Sequence, residues 1–306
     1  MAWFEGFSGG FHTVGDIRLY ARTGGTPGRP PLLLLHGFPQ THAMWHRVAR
    51  MLAPQYELVL PDLRGYGDSD KPPGDADHGN YSKRTMAADL AALMRSLGHT
   101  RYYVCGHDRG GRVAHRLALD HAEAVQKLAL IDIAPTLDMY EASDMAFARA
   151  YYHWFHLIQP APLPERMIAG AAQDYLHAKL GGWGAGGLAH IETEALAEYE
   201  RCFCQPGAVP GALPPAIHAA CEDYRASASL DLDHDRASRA AGHLIACDLH
   251  LLWGSLGVID RLFDPLLLWA DQCAGTVSGQ MLPAGHFIPE ELPQHTAAAL
   301  AAFFQD

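Results

Sequence analysis

Short apolar runs alternate with stretches of helical periodicity over the first 130 or so residues and again near the C-terminus. Phe11 to Ala21 reads as a hairpin turning at Gly15-Asp16, and Leu32 to Leu35 and Tyr56 to Leu60 as buried strands. A helix is predicted from Ser82 to Leu97, a strand at Tyr102-Tyr103-Val104-Cys105 and a helix from Gly110 to His121. Lys127 to Asp132, His250 to Trp253 and Val277 to Leu282 complete the strand pattern. Continuous apolar strands alternating with helices predict an α/β fold, a mostly parallel sheet with helices on both faces. Between Ala134 and Ser229 only helical patterns occur, broken at Pro160 to Pro164, Gly181 to Gly187 and Pro206 to Pro215. This predicts an inserted helical cap over 134–229 on a core formed by 1–133 and 230–306.

The chain has 306 residues and a formal net charge of -11, a balance that argues against a nucleic-acid partner, which would require a concentrated basic face. An anionic ligand would therefore depend on locally placed cations. No apolar run approaches the length of a membrane span, and Met1-Ala2-Trp3-Phe4-Glu5-Gly6 lacks the basic and apolar regions of a signal peptide. The six cysteines lack metal-ligand spacing and read as buried free thiols in a reducing, cytoplasmic setting. The nineteen histidines show no ligand pair on a predicted helix with a third ligand nearby, so no metal is expected.

The most informative motif is Gly106-His107-Asp108-Arg109-Gly110. A strand precedes it and a helix follows, as in the sharp turn that exposes a nucleophile in many hydrolases, but an aspartate takes the place of the usual serine. A serine attacks acyl carbon. An aspartate attacks alkyl carbon and leaves an ester that water must open. Alone, the pentad reads equally as a helix N-cap. The segments Leu32 to Pro39, containing His36-Gly37-Phe38-Pro39, and Pro283-Ala284-Gly285-His286-Phe287 make the catalytic reading the stronger one. His286 would draw a proton from water. Asp132, at the end of its strand, is the preferred acid to orient it; Asp260 is the alternative, because Gly257 stands where this architecture often has an acid. The backbone amides of Phe38 and Arg109 are the expected donors to the oxyanion of the opening ester.

Arg109 and Arg112 lie next to the nucleophile and one helical turn beyond it. A cation beside a nucleophilic carboxylate weakens it, a cost that makes sense if the substrate carries negative charge, and two guanidiniums can hold a carboxylate in fixed geometry. The competing account pairs one or both with structural acids such as Asp132 or Asp62. Trp183, in the glycine-rich cap segment, is expected to line the pocket.

With Gly106 to Arg112, Asp132-Ile133-Ala134-Pro135-Thr136, His153-Trp154-Phe155, Cys221 to Arg225 and Gly285-His286-Phe287, the chain resembles haloacetate dehalogenases of the alpha/beta-hydrolase superfamily, the fluoroacetate type. The resemblance covers nearly the whole chain. It implies that Arg109 and Arg112 hold a substrate carboxylate and that His153, Trp154 and Tyr224 donate hydrogen bonds to a departing halide. It implies hydrolysis of short 2-haloacids, no cofactor, a small anionic substrate as partner, and a homodimer. Epoxide hydrolases of the same fold share the His-Gly-Phe-Pro loop. They typically place tryptophan after the nucleophile and use two cap tyrosines, for which Tyr140 or Tyr152 would be candidates here. Haloalkane dehalogenases typically have asparagine at position 38. Phe38 and Arg109 depart from these patterns in the direction of a charged substrate.

Overall fold

In the computed structural model, residues 4–207 and 213–305 are described. Eight strands form one sheet: β1 (Phe7–Val14), β2 (Ile17–Gly25), β3 (Pro31–Leu35), β4 (Glu57–Pro61), β5 (Tyr102–His107), β6 (Val125–Ile131), β7 (Asp248–Gly254) and β8 (Val277–Leu282), in the order β1-β2-β4-β3-β5-β6-β7-β8. β2 is antiparallel to β1 and β4, and every other neighbouring pair is parallel. All six residues of β5 are buried, as a strand covered by helices on both faces requires. The covering helices of the core include α1 (His46–Leu52), α2 (Lys83–Ser96) and α3 (Arg109–Asp120). Ser82 caps α2 by accepting from the Thr85 amide, which is why the periodic run starts there.

After β6 the chain enters the helical segment. It holds α4 (Thr136–Glu141), α5 (Met145–Ala150), α6 (Tyr152–Leu157), α7 (Leu163–Ala169), α8 (Ala172–Trp183), α9 (Thr193–Cys204), α10 (Pro215–Ser227) and α11 (Leu230–Ala240). No strand interrupts it among the described residues. α11 is tied back to α3, where Arg116 reaches Asp235 at 2.6 Å and Ser238 at 3.0 Å. The chain closes with α12 (Val258–Leu262), α13 (Pro265–Ala270), α14 (Ile288–Glu291) and α15 (Pro293–Phe304), which packs against α1.

The predicted hairpin, strands and core helices all form, with ends shifted by at most four residues. The glycine-rich break is shorter than expected: α8 runs through Gly181 and Gly182 to Trp183, and the chain leaves the helix only at Gly184. Helical hydrogen bonding tolerates glycine at modest cost when neighbouring helices supply the packing. Part of the break predicted from Pro206 to Pro215 lies outside the described residues. Of the cysteines, Cys105, Cys202, Cys221 and Cys273 are buried free thiols, whereas Cys204 and Cys247 are only half-buried.

Candidate active site

The end of β5 and the start of α3 meet at Asp108, whose φ of 47° lies in the left-handed region that side chains avoid. The turn is possible because its neighbours lack side chains. A Cβ on Gly106 would stand 2.5 Å from the carbonyl oxygen of Gly110, and one on Gly110 would stand 2.3 Å from that of His36. Gly37 serves the same end, since a Cβ there would lie 2.5 Å from the Asp108 Cβ. The strained turn aims the Asp108 carboxylate out of the sheet, and the close approach of the Gly37 loop brings a donor to it: the Phe38 amide donates to Oδ1 at 3.0 Å. Among the described residues this is the one amide bonded to that carboxylate; the Arg109 amide makes no such bond.

His286, in the loop after β8, donates from Nδ1 to Asp132 Oδ2 at 2.6 Å. Asp132 Oδ1 accepts from the Gly254 amide at 3.0 Å, so both carboxylate oxygens are held. Nε2 of His286 is thereby left facing Asp108 Oδ2 at 3.9 Å, beyond direct hydrogen bonding. Asp260 is elsewhere, accepting from Trp253 Nε1 at 2.9 Å. A Cβ on Gly257 would stand 3.4 Å from Asp132 Oδ1. Position 257 therefore lies beside the same carboxylate that holds the histidine.

Burial by itself favours the neutral form of Asp108, but the charges of His286, Arg112 and Arg109 outweigh it and hold the carboxyl below its ordinary range. For His286, burial favours the neutral ring, and the hydrogen bond and charge of Asp132, with the charge of Asp108, raise its pKa above the usual histidine value. An ionised carboxylate and an oriented imidazole therefore face one another across a small gap. Such a pair can attack an electrophilic carbon and then activate water against the resulting ester.

The two arginines differ. Arg109 is paired with Asp223 of α10, donating from Nε at 2.9 Å and from Nη2 at 2.7 Å, and it also reaches Ser227 Oγ at 2.6 Å. Only Nη1 is without a partner. The structural pairing weighed in the sequence is thus real for Arg109, but with Asp223 and not with Asp132 or Asp62. Arg112 donates to Ala134 O at 3.3 Å, Thr136 Oγ1 at 2.8 Å and Met139 Sδ at 3.2 Å, all neutral acceptors. Among the described residues it is bonded to no carboxylate, its Nε has no partner, and its guanidinium lies 4.7 Å from the centre of the Trp154 ring.

The helices between β6 and β7 line the other side. His153 and Trp154 fall in the first turn of α6. His153 is stacked parallel to Phe38 at 6.1 Å, and its ring lies 4.5 Å from Trp183 and 5.5 Å from Tyr224 of α10. Its Nδ1 has no partner. Burial first, then the charges of Lys179 and Arg109, drive its pKa well below the usual value, so the ring is neutral and donates through one nitrogen only. Trp183 reaches across to His286 at 5.8 Å. Of the tyrosines named for the epoxide alternative, Tyr152 is 49% exposed and lies under the Lys179 ammonium at 3.7 Å, and Tyr140 packs on Trp154 at 4.7 Å.

Asp223 went unassigned in the sequence because a counter-ion on a distant helix leaves no spacing signal; only its place beside Tyr224 hinted at the site. The same is true of Glu165, His218 and Glu222, whose ligand atoms lie within 4.8 Å of one another. Arg225 already bonds Glu165 at 2.7 Å and Glu222 at 2.6 Å, and so occupies that cluster.

Comparison with known proteins places the chain in a family. Residues 30–183 match the family model for the alpha/beta hydrolase fold. The chain is 44% identical to a fluoroacetate dehalogenase from Burkholderia sp. over 99% of this chain and 95% of that protein. It is 31% identical to a soluble epoxide hydrolase from Corynebacterium sp. strain C12, covering 90% of each. The crystal structure of an alpha/beta hydrolase from Nostoc sp PCC 7120 superposes with a TM-score of 0.93 at 48% identity, covering 99% of both chains. With that family model matched over half its length, the Asp108 turn in place and relatives aligned from end to end, the chain belongs to the alpha/beta hydrolase fold family.

Proposed function

We propose that the protein is a hydrolytic dehalogenase of short 2-haloacids, taking fluoroacetate to glycolate and fluoride and acting also on chloro- and bromoacetate. The observation that carries this reading is Arg112, a buried guanidinium bonded only to neutral acceptors beside an ionised nucleophile. A bound carboxylate would supply the missing negative charge. The free Nη1 of Arg109 is the second donor toward it. A neutral epoxide or haloalkane would leave Arg112 uncompensated.

In this reading Asp108 Oδ2 attacks the α carbon as the carbon-halogen bond breaks, and the halide leaves with the bonding pair. His153, Trp154 and Tyr224, with Trp183 lining the same side, replace the water that halide requires as it departs. Oδ1, already bonded to the Phe38 amide, becomes the carbonyl oxygen of the ester. Nε2 of His286 takes a proton from water, whose oxygen adds to the Asp108 Cγ. The oxyanion rests on the Phe38 amide, the bond from Cγ to the substrate oxygen breaks, the hydroxyacid leaves with the proton from His286, and Asp108 loses the second proton of the water to solvent and is again a carboxylate. Asp132 holds the imidazolium throughout. Residues 134–229 act as the cap in this scheme and supply every halide-side group; no step requires a cofactor.

The test is halide release from fluoroacetate and chloroacetate, with a neutral epoxide as comparison substrate. Sustained halide release and an ester on Asp108 in His286→Asn are expected. Diol from the epoxide without halide from either acid would reverse the assignment in favour of epoxide hydrolysis. Halide release from chloroacetate alone would narrow it.

A further inference from the structure

Glu291, at the end of α14, grips the backbone on both sides of His286. Oε2 accepts from the Gly285 amide at 2.8 Å, and Oε1 accepts from the Phe287 amide at 2.9 Å. Oε2 also accepts from the amide of Ala185 at 3.0 Å, in the cap segment that follows Trp183. The amide between them, that of His286 itself, donates to the carbonyl of Trp183 at 2.9 Å. Three successive amides of the histidine loop are thus spent on Glu291 and the cap. The two backbones touch: a Cβ on Gly285 would stand 2.5 Å from Trp183 O and 2.7 Å from the Ala185 nitrogen. On the core side the loop is held by the side-chain bond to Asp132 and by His107 Nε2, which donates to the His286 carbonyl at 2.9 Å.

We infer that Glu291 is a positioning residue that couples the base histidine to the Trp183 segment of the cap, so that placing His286 and seating the cap are one event. The inference rests on the roles proposed above for Asp108 and His286. It gives those roles a step-specific consequence. Ester formation needs Asp108, the arginines and the halide donors, and makes no use of His286 as a base. Ester hydrolysis needs Nε2 at hydrogen-bonding distance from water poised over Cγ, and catalysis of this kind is sensitive to displacements of about 1 Å. Loosening the Glu291 clamp should therefore slow the second step and spare the first.

Glu291→Gln keeps the volume and one acceptor oxygen. Its amide nitrogen cannot accept an N–H, so at least one of the three amides loses its partner. With chloroacetate as probe, intact-protein mass spectrometry should show the Asp108 ester accumulating during turnover. The initial halide burst should stay within about twofold of the wild type, and steady glycolate release should fall by about 100-fold. Glu291→Asp keeps the charge but is one methylene short, and should also accumulate ester. The burst counts folded sites, so poor folding of one variant shows as a smaller amplitude and not as a false result. Burst and glycolate release slowing together, or neither slowing, would overturn the inference. His286→Asn separates the two layers. If it forms no ester, the reading of the nucleophile and base fails; if it does and Glu291→Gln does not, only the clamp fails.

Discussion

Arg109 and Arg112 project from the same turn of α3 into opposite electrostatic settings. Arg109 is saturated on one edge by both oxygens of Asp223, of which Oδ2 also accepts from Tyr66 at 2.6 Å and Oδ1 also pairs with Lys83 of α2. That setting ties core to cap: a core helix and the nucleophile helix both fix their cations on one carboxylate of α10. Arg112 has hydroxyl, carbonyl and thioether acceptors and an aromatic face. The first environment is complete without a ligand; the second is one negative charge short. Residue type and spacing are alike at the two positions. What differs is whether the opposite helix supplies an acid, and that difference separates a structural cation with one spare donor from a cation without a carboxylate partner, the one we propose meets the substrate.

The comparison breaks most severely at Asp223. Asp223→Asn would leave Arg109 and Lys83 buried without their shared counter-charge and should cost about 3–5 kcal/mol of stability, read by chemical denaturation. Arg112→Met is the converse. It should reduce kcat/KM for a haloacid by about 100-fold or more while leaving the melting temperature unchanged or raised, because a buried cation without a carboxylate is removed. A melting loss like that of the Asp223 variant would make Arg112 structural as well and dissolve the contrast.

A smaller effect concerns pH. In the ester Asp108 carries no charge, but the hydrogen bond and charge of Asp132 still raise the pKa of His286 against the effect of burial, so its neutral, base-competent form is reached only above the ordinary histidine value of about 6.5. Ester hydrolysis should therefore rise with pH through a limb that lies above that value, while ester formation, which depends on Asp108 and the arginines, stays flat across it. A limb below the ordinary value would show that Asp132 does not govern the ring.

A pH effect on stability is expected at Glu290, which accepts from Tyr199 at 3.0 Å and from Gln40 of the Phe38 loop. Burial pushes its pKa up to about 8 from 4.5, against the pull of Tyr199, Arg47 and Gln40. Between those two values the unfolded chain gives up a proton that the folded protein keeps. Stability is then lost progressively as pH rises through that window. Glu290→Gln, which cannot ionise, should gain on the wild type over the same interval in melting experiments and hold level outside it.

Much of the molecule was legible from local chemistry. Apolar runs and period-3.6 patterns report burial, and burial is a property each residue type carries with it, so the β3 and β5 runs and the helix capped by Ser82 could be placed before any tertiary contact was known; β8, also expected to be buried, forms as a strand but leaves Ser278 to Met281 exposed, because it lies at the sheet edge. The glycines around Asp108 could be read because a backbone turning at positive φ excludes side chains from its neighbours. Asp132 could be preferred because a position at a strand end is itself local. The end of the glycine-rich break could not, because packing decided how far α8 continues.

The chain by itself determined the α/β architecture, the strained turn at Asp108 and the preference for Asp132 over Asp260 beside His286. Each of these depends on steric and hydrophobic rules that act within a few residues. The tertiary structure alone decided which arginine is neutralised, that Asp132 and not Asp260 meets His286, and that Glu291 ties the histidine loop to the segment after Trp183. Charge pairing and hydrogen bonding act between side chains that meet across the fold, 114 positions apart for Arg109 and Asp223. Their energies depend on distance and burial, which a linear pattern does not encode.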